Sequence, residues 1–460
     1  MRTGPSAISS NPTAVPRMKG SKMSGFFASN GAKSWIQYNF LLRPLRVHAL
    51  LFIFFIAYGF IWSSPAEIGR GLSTILISPN ILVTDYIAIA GLGATFVNSG
   101  IMGLIAVFVI TAVRRRPFGL DMGVLGLVTG FAFFGKNPLN MLPILIGAYL
   151  FSRFSKRPFE ENIVPALLGN ALAPAVSQLA HIDLIPTPVG IGLGILVGVF
   201  IGFTISPLAA WFRRAHEGLN LYNVGFTAGI FAIALMALYS NLGISFEPRN
   251  YWSSGYDFQL ILFLLIVSAY FIIMGFAADT GERIPLRDLF RVKTEDFDYY
   301  KQFREKIYIP MGVLGLFCFL FMLAVRAEYN GLAIGAILSI IGFGAFGKSI
   351  RHAAPIMLGA FIADIANWIS FGIELNTNGS IVAILFSTCL SPLTKVHGWK
   401  WGIIAGYLHL SLATNIGIFH GGMNLYNNGL AAGLVAMLLL PIMRAFEERK
   451  ARKQAEISQE

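Results

Sequence analysis

From about residue 46 onward the chain alternates apolar stretches with short polar or glycine- and proline-bearing breaks. The apolar stretches fall at 46–62, 71–82, 84–97, 98–113, 119–135, 139–152, 163–180, 187–211, 221–242, 257–275, 307–327, 330–347, 353–370, 378–393, 399–416 and 424–444. A helix needs about 20 apolar residues to cross the hydrocarbon core of a bilayer. Some stretches reach that length and others fall short or are broken by Gly or Pro. Broken helices are tolerated at membrane depth only where neighbouring protein or a wet cavity satisfies the freed backbone groups. The pattern predicts an all-α polytopic membrane protein with broken or re-entrant helices, and 71–82, interrupted at Ser78-Pro79-Asn80, is expected to be re-entrant.

The chain also repeats itself. Gly130-Phe131-Ala132-Phe133-Phe134-Gly135-Lys136 recurs as Gly342-Phe343-Gly344-Ala345-Phe346-Gly347-Lys348, and Pro143-Ile144 and Gly147-Ala148 recur in the same register as Pro355-Ile356 and Gly359-Ala360. The stretch from His216 through Asn220-Leu221-Tyr222-Asn223 to Gly229 recurs from His420 through Asn424-Leu425-Tyr426-Asn427 to Gly433. A His, two Asn and a Tyr at fixed spacing are too specific for chance similarity between Gly- and Ala-rich helices. Seven apolar stretches separate Lys136 from Lys348, and an odd number reverses the second copy. Two inverted-topology repeats are therefore expected, a plan that recurs in transporters with the solute path at the repeat interface.

Composition narrows the class. Hydrophobic residues make up 55% of the 460 and charged ones 13%, about half the charged share of a soluble domain. Lipid must then solvate much of the exterior. The net charge of +12 would suit nucleic acid in a soluble protein, but the basic residues gather in alternate loops. With the N-terminus inside, all but four of the 35 Lys and Arg residues (Arg70, Lys136, Arg249 and Arg326) fall on the inner side, as the positive-inside rule requires of a cytoplasmic face. The expected organisation is a disordered or partly helical cytoplasmic tail over 1–42 and a first membrane repeat over 43–275. A cytoplasmic linker over 276–306, a second repeat over 307–444 and a basic, polar cytoplasmic tail over 445–460 follow. Residues 1–42 do not read as a signal peptide. The expected partners are the lipid bilayer and a small-molecule solute, not nucleic acid, and a homo-oligomer is compatible with the sequence.

The duplicated Asn-Leu-Tyr-Asn carries the candidate chemistry. Asn223 and Asn427 stand where an N-cap would open a helix, and a helix beginning inside a membrane offers unpaired N–H groups to a polar or anionic solute. Asn220, Tyr222, Asn223, Asn424, Tyr426 and Asn427 are thus the expected solute-binding residues, although capping alone would also explain them. His216 and His420, just before the motifs, are candidates for gating, against the plainer role of interfacial hydrogen bonding. Asp364, a carboxylate inside a span, is the candidate for proton coupling. Lys136 and Lys348 end matching helices and are expected to snorkel to the headgroups. Cys318 and Cys389 both lie in apolar runs, without disulfide or metal spacing. No phosphate-binding Gly loop or Gly-x-Ser-x-Gly elbow is present, so neither an enzyme nor a cofactor is expected.

With the two duplicated motifs, the chain resembles a family of bacterial multi-spanning proteins known as a domain of unknown function. That resemblance implies a bacterial inner membrane and no particular substrate. The two-repeat plan, with Phe96-Val97-Asn98-Ser99-Gly100-Ile101-Met102-Gly103 as an Asn-bearing helix start, is similar in architecture to urea transporters. Their Leu-Pro…Thr-x-Pro-Phe selectivity segment has no counterpart here, so the resemblance implies architecture only. The expected function is a channel or secondary transporter for a small polar or anionic solute. The competing expectation is a non-transporting scaffold that recruits cytoplasmic partners through 281–306 and the C-terminal tail.

Overall fold

The structure, a computed structural model, describes residues 43–113, 116–182, 185–246, 249–278, 284–292 and 296–458. The tail expected over 1–42 lies outside the described residues. The described residues form helices and connecting turns, with ten helices long and apolar enough to cross a membrane. The chain is an all-α, multi-pass membrane protein.

Six principal helices occur twice, in the same order. In the first half they are α1 (Arg43–Trp62), α2 (Leu92–Val113), α3 (Gly119–Phe131), α4 (Pro138–Phe154), α5 (Thr187–Ala215) and α6 (Asn223–Asn241). In the second they are α7 (Asp257–Ala277), α8 (Tyr308–Ala324), α9 (Gly331–Phe343), α10 (Ile350–Phe371), α11 (Trp399–Ala413) and α12 (Asn427–Ile457). Within each half the first helix packs on the second and the fourth on the fifth. Thus α7, whose apolar stretch closes the first repeat in the sequence reading, lies against α8 as α1 lies against α2.

Between α4 and α5, and again between α10 and α11, runs a broken helix. Phe159–Leu168 gives way to a 3-10 turn over Gly169–Leu172 and resumes at Ala173, while Asn378–Ser387 breaks over Thr388–Leu390 and resumes at Ser391. Pro174 and Pro392 sit in the first turn of the resumed helices, where a missing N–H costs nothing. They mark the restart of a helix rather than a kink within one.

Glycine sets the closest approaches. A Cβ on Gly147 would meet the Val199 carbonyl and one on Gly202 the Ile144 carbonyl. In the second half Gly359 stands in the same relation to Ile403, and Gly406 to Ile356. Small residues that let helix backbones touch are the means of association where lipid removes the hydrophobic drive between helices.

The halves meet along two pairs of equivalent helices, α3 with α9 and α6 with α12. Gly119 faces Ala345, Gly126 faces Leu338 and Gly130 faces Gly335. As one residue number rises the other falls, so α3 and α9 run antiparallel. Each is 13 residues long and almost wholly buried.

Their N-termini are capped across the interface. Asp85 accepts the Gly331 N–H at 2.9 Å and Asp298 accepts the Gly119 N–H at 3.1 Å, each serving the other half's helix. Asp298 therefore belongs to the packed body, and so do its neighbours Tyr299, Tyr300, Phe303 and Ile307, all buried. This stretch packs onto the protein through those side chains, while Asp296, Lys301, Gln302 and Arg304 stay exposed. Burial pushes the Asp298 carboxyl above the ordinary Asp range, opposed by the backbone N–H groups of Lys301 and Gly119.

Candidate functional site

The two lysine turns, repeated in register, and the two Asn-Leu-Tyr-Asn segments come together, but crosswise. After α3 the chain turns through Gly135 and after α9 through Gly347, at φ of 88° and 79°. Only glycine takes that conformation without strain, and a Cβ on either would also strike Leu425 or Leu221 of the other half. The turn directs the next side chain inward. Lys136 and Lys348 are buried, at 0% and 1% exposure, and do not snorkel.

Lys136 Nζ donates to the Tyr426 hydroxyl, while Lys348 Nζ donates to the Tyr222 hydroxyl at 2.8 Å and to Thr388 Oγ1 at 2.9 Å. Each lysine is thus held by the tyrosine of the opposite half. The geometry is nearly the same in both: 4.6 and 4.7 Å from Nζ to the tyrosine ring, and 5.5 Å to Phe131 or Phe343. Phe386 lies 5.3 Å from Phe131 and 6.0 Å from Tyr222, so one aromatic cluster joins both pairs. Among the described residues, neither lysine has a carboxylate within 4.0 Å.

The asparagines build this crossing. Asn220 Nδ2 donates to the Gly429 carbonyl at 3.0 Å and Asn424 Nδ2 to the Gly225 carbonyl at 3.4 Å, tying each motif to the other half. Their Oδ1 atoms accept the N–H of Tyr222 and Tyr426, which fixes the tyrosine backbones. Leu221 N–H donates to the Cys389 carbonyl and Leu425 N–H to the Ala171 carbonyl. Both carbonyls are freed by the breaks in the broken helices, so each break is satisfied from the opposite half.

Asn223 and Asn427 do not cap. The helices begin one residue earlier in the cap sense, at Tyr222 and Tyr426, and neither has a side-chain cap bond. The Asn side chains instead reach backward: Oδ1 contacts His216 or His420 Nε2 at 2.9 Å, and Nδ2 donates to the Ala209 or Ala413 carbonyl. The histidines are buried members of these links. Asp364 is buried and accepts the Asn376 N–H at 3.0 Å. Its counterpart Ser152 accepts Asn162 Nδ2 at 2.8 Å, so the position fastens the following segment in both halves.

The sequence reading put the tyrosines and asparagines at one place and left the lysines out of it. It also missed Asp85-Tyr86 and Asp298-Tyr299, a second matched pair close to the register of the lysine turns. A two-residue match carries little signal alone. Its offset, one residue from that of Lys136 and Lys348, is the clue that could have found it.

The family described as protein of unknown function, DUF1576, matches residues 64–241 and again residues 292–445. The chain belongs to this family. The two matched segments fall within the two halves just described, beginning after α1 and after α7, and each contains one lysine turn and one Asn-Leu-Tyr-Asn segment. No curated protein and no solved structure matches the chain.

Proposed function

We propose that the protein is a channel or secondary transporter for a small anionic solute, with its path at the interface of two repeats inverted in the membrane. One observation carries this reading: two buried lysines at the interface with, among the described residues, no carboxylate beside them. A buried ammonium without a counter-charge costs several kcal/mol, on the order of the effective penalty for an unpaired ion. An anion arriving at either lysine supplies that missing charge. The tyrosine hydroxyls and aromatic faces lighten the cost in its absence, and both tyrosines belong to the opposite repeat. Inversion is supported by the antiparallel run of α3 and α9.

The test is flux in proteoliposomes, with small inorganic and organic anions and small neutral solutes, for wild type and a Lys136→Met/Lys348→Met variant shown to be folded. Anion flux in wild type that falls at least tenfold in the variant is the expected result. Equal anion flux in both would move the path away from the lysines. Neutral-solute flux in both, without anion flux, would overturn the choice of an anion.

A further inference from the structure

Lys348 also stands in the wall of a cavity of about 340 Å3 between Leu289, Phe290, Val292 and Tyr299 on one side and α8 and the start of α10 on the other. That volume is at the small end of ligand sites, about 300–1,000 Å3. We propose that this cavity binds a small organic acid, one anionic group on a compact apolar body.

The anionic half of the site is built from four features. Lys348 Nζ uses two of its three N–H donors, on Tyr222 and Thr388. Tyr299 lines the cavity, is fully buried, and its hydroxyl has no hydrogen-bond partner. An unpaired buried hydroxyl costs about 1–3 kcal/mol, which a ligand oxygen would recover. Ser349, Ile350 and Arg351, the cap and first turn of the 22-residue helix α10, form part of the same wall, and Ser349 makes no cap bond. The first N–H groups of a helix lack intrahelical acceptors and favour anions. Arg351 is part of this wall and exposed to solvent, which puts a cationic residue at the cavity's edge. Among the described residues, none that lines the cavity is acidic.

The rest of the wall is apolar, including Leu289, Ile307, Pro310 and Leu314. An inorganic oxyanion would leave that surface facing nothing it can satisfy. A carboxylate on a ring or branched chain matches both halves. As an entrance to the solute path, the site rests on the transport reading; as a binding site it can be measured without it.

The experiment is isothermal titration of purified full-length protein in detergent with benzoate, benzamide and sulfate. Saturable benzoate binding is expected, with benzamide at least tenfold weaker and no sulfate binding. Lys348→Met and Tyr299→Phe should each weaken benzoate at least tenfold, while Lys156→Met, on the exposed loop after α4, leaves it unchanged; thermal unfolding checks that each variant is folded. Benzamide binding as tightly as benzoate, sulfate competing with it, or undiminished binding in both cavity variants would overturn the proposal. So would absence of benzoate binding to folded wild type. Benzoate binding without anion flux in liposomes would leave this site standing and remove the transport reading; flux of small anions without benzoate binding would do the reverse.

Discussion

Lys136 and Lys348 occupy equivalent turns but have unequal support. Lys348 has two oxygen partners, Tyr222 and Thr388, whereas Tyr426 is the oxygen partner the structure gives Lys136. At the position equivalent to Thr388 stands Asn170, whose buried Oδ1 has no partner. Removing a tyrosine hydroxyl should therefore hurt the first half more. Leaving a buried donor unsatisfied costs about 1–3 kcal/mol, and more when the group is charged. Tyr426→Phe is expected to destabilise by at least that much, and Tyr222→Phe by less because Thr388 stays in place. Taking away the amine as well should undo the damage, since replacing both partners with apolar groups can be nearly neutral. Lys136→Met/Tyr426→Phe is thus expected to unfold at a higher temperature than Tyr426→Phe alone. Thermal unfolding of the four proteins in detergent checks the order. A double variant less stable than the single one would mean the Lys–Tyr contact is not the source of the loss.

At the scale of the helix, the sequence was legible wherever one segment carried its own signal. The lysine turns and the Asn-Leu-Tyr-Asn segments repeat with several identities each, and the apolar stretches foretold the helices. Pro174 and Pro392 each stand two residues past a break, at Gly169–Leu172 and Thr388–Leu390. What the sequence left hidden depends on pairing between segments far apart. Nothing local in Lys136 announces Tyr426, and a lysine ending an apolar helix reads the same whether it snorkels or turns inward. The cap reading of Asn223 failed because His216 and the Ala209 carbonyl compete for its side chain. Glycines show the same dependence on a partner. In α5, Gly202 lies against the Ile144 carbonyl while Gly192 has open space around it. Gly202→Ala should lose about 1–3 kcal/mol, the usual cost of overpacking. Gly192→Ala should be neutral or gain up to about 1 kcal/mol from helix propensity. Equal behaviour of the two in thermal unfolding would show that α4 and α5 are not packed backbone to backbone.

For the whole molecule, the crossed contacts make each half incomplete without the other. Asp85 caps α9, Asp298 caps α3, and each broken helix takes a hydrogen bond from the opposite half. Exchange of this kind requires an approximate twofold relation, and antiparallel α3 and α9 place its axis across those helices. If α3 and α9 stand roughly along the membrane normal, the axis lies in the membrane plane and equivalent loops face opposite sides. The loops after α4 and α10 provide the test, because Lys156 and Glu374 in them are both exposed. The native Cys318 and Cys389 are fully buried, so a membrane-impermeant thiol reagent meets little background. Glu374→Cys is expected to label in intact cells. Lys156→Cys, in the basic loop that the positive-inside rule assigns to the cytoplasm, is expected to label only after the membrane is opened. Labelling of both from one side would place the two repeats in the same orientation. A path shared by inverted halves would then be lost, and the two lysines would have to serve separate sites.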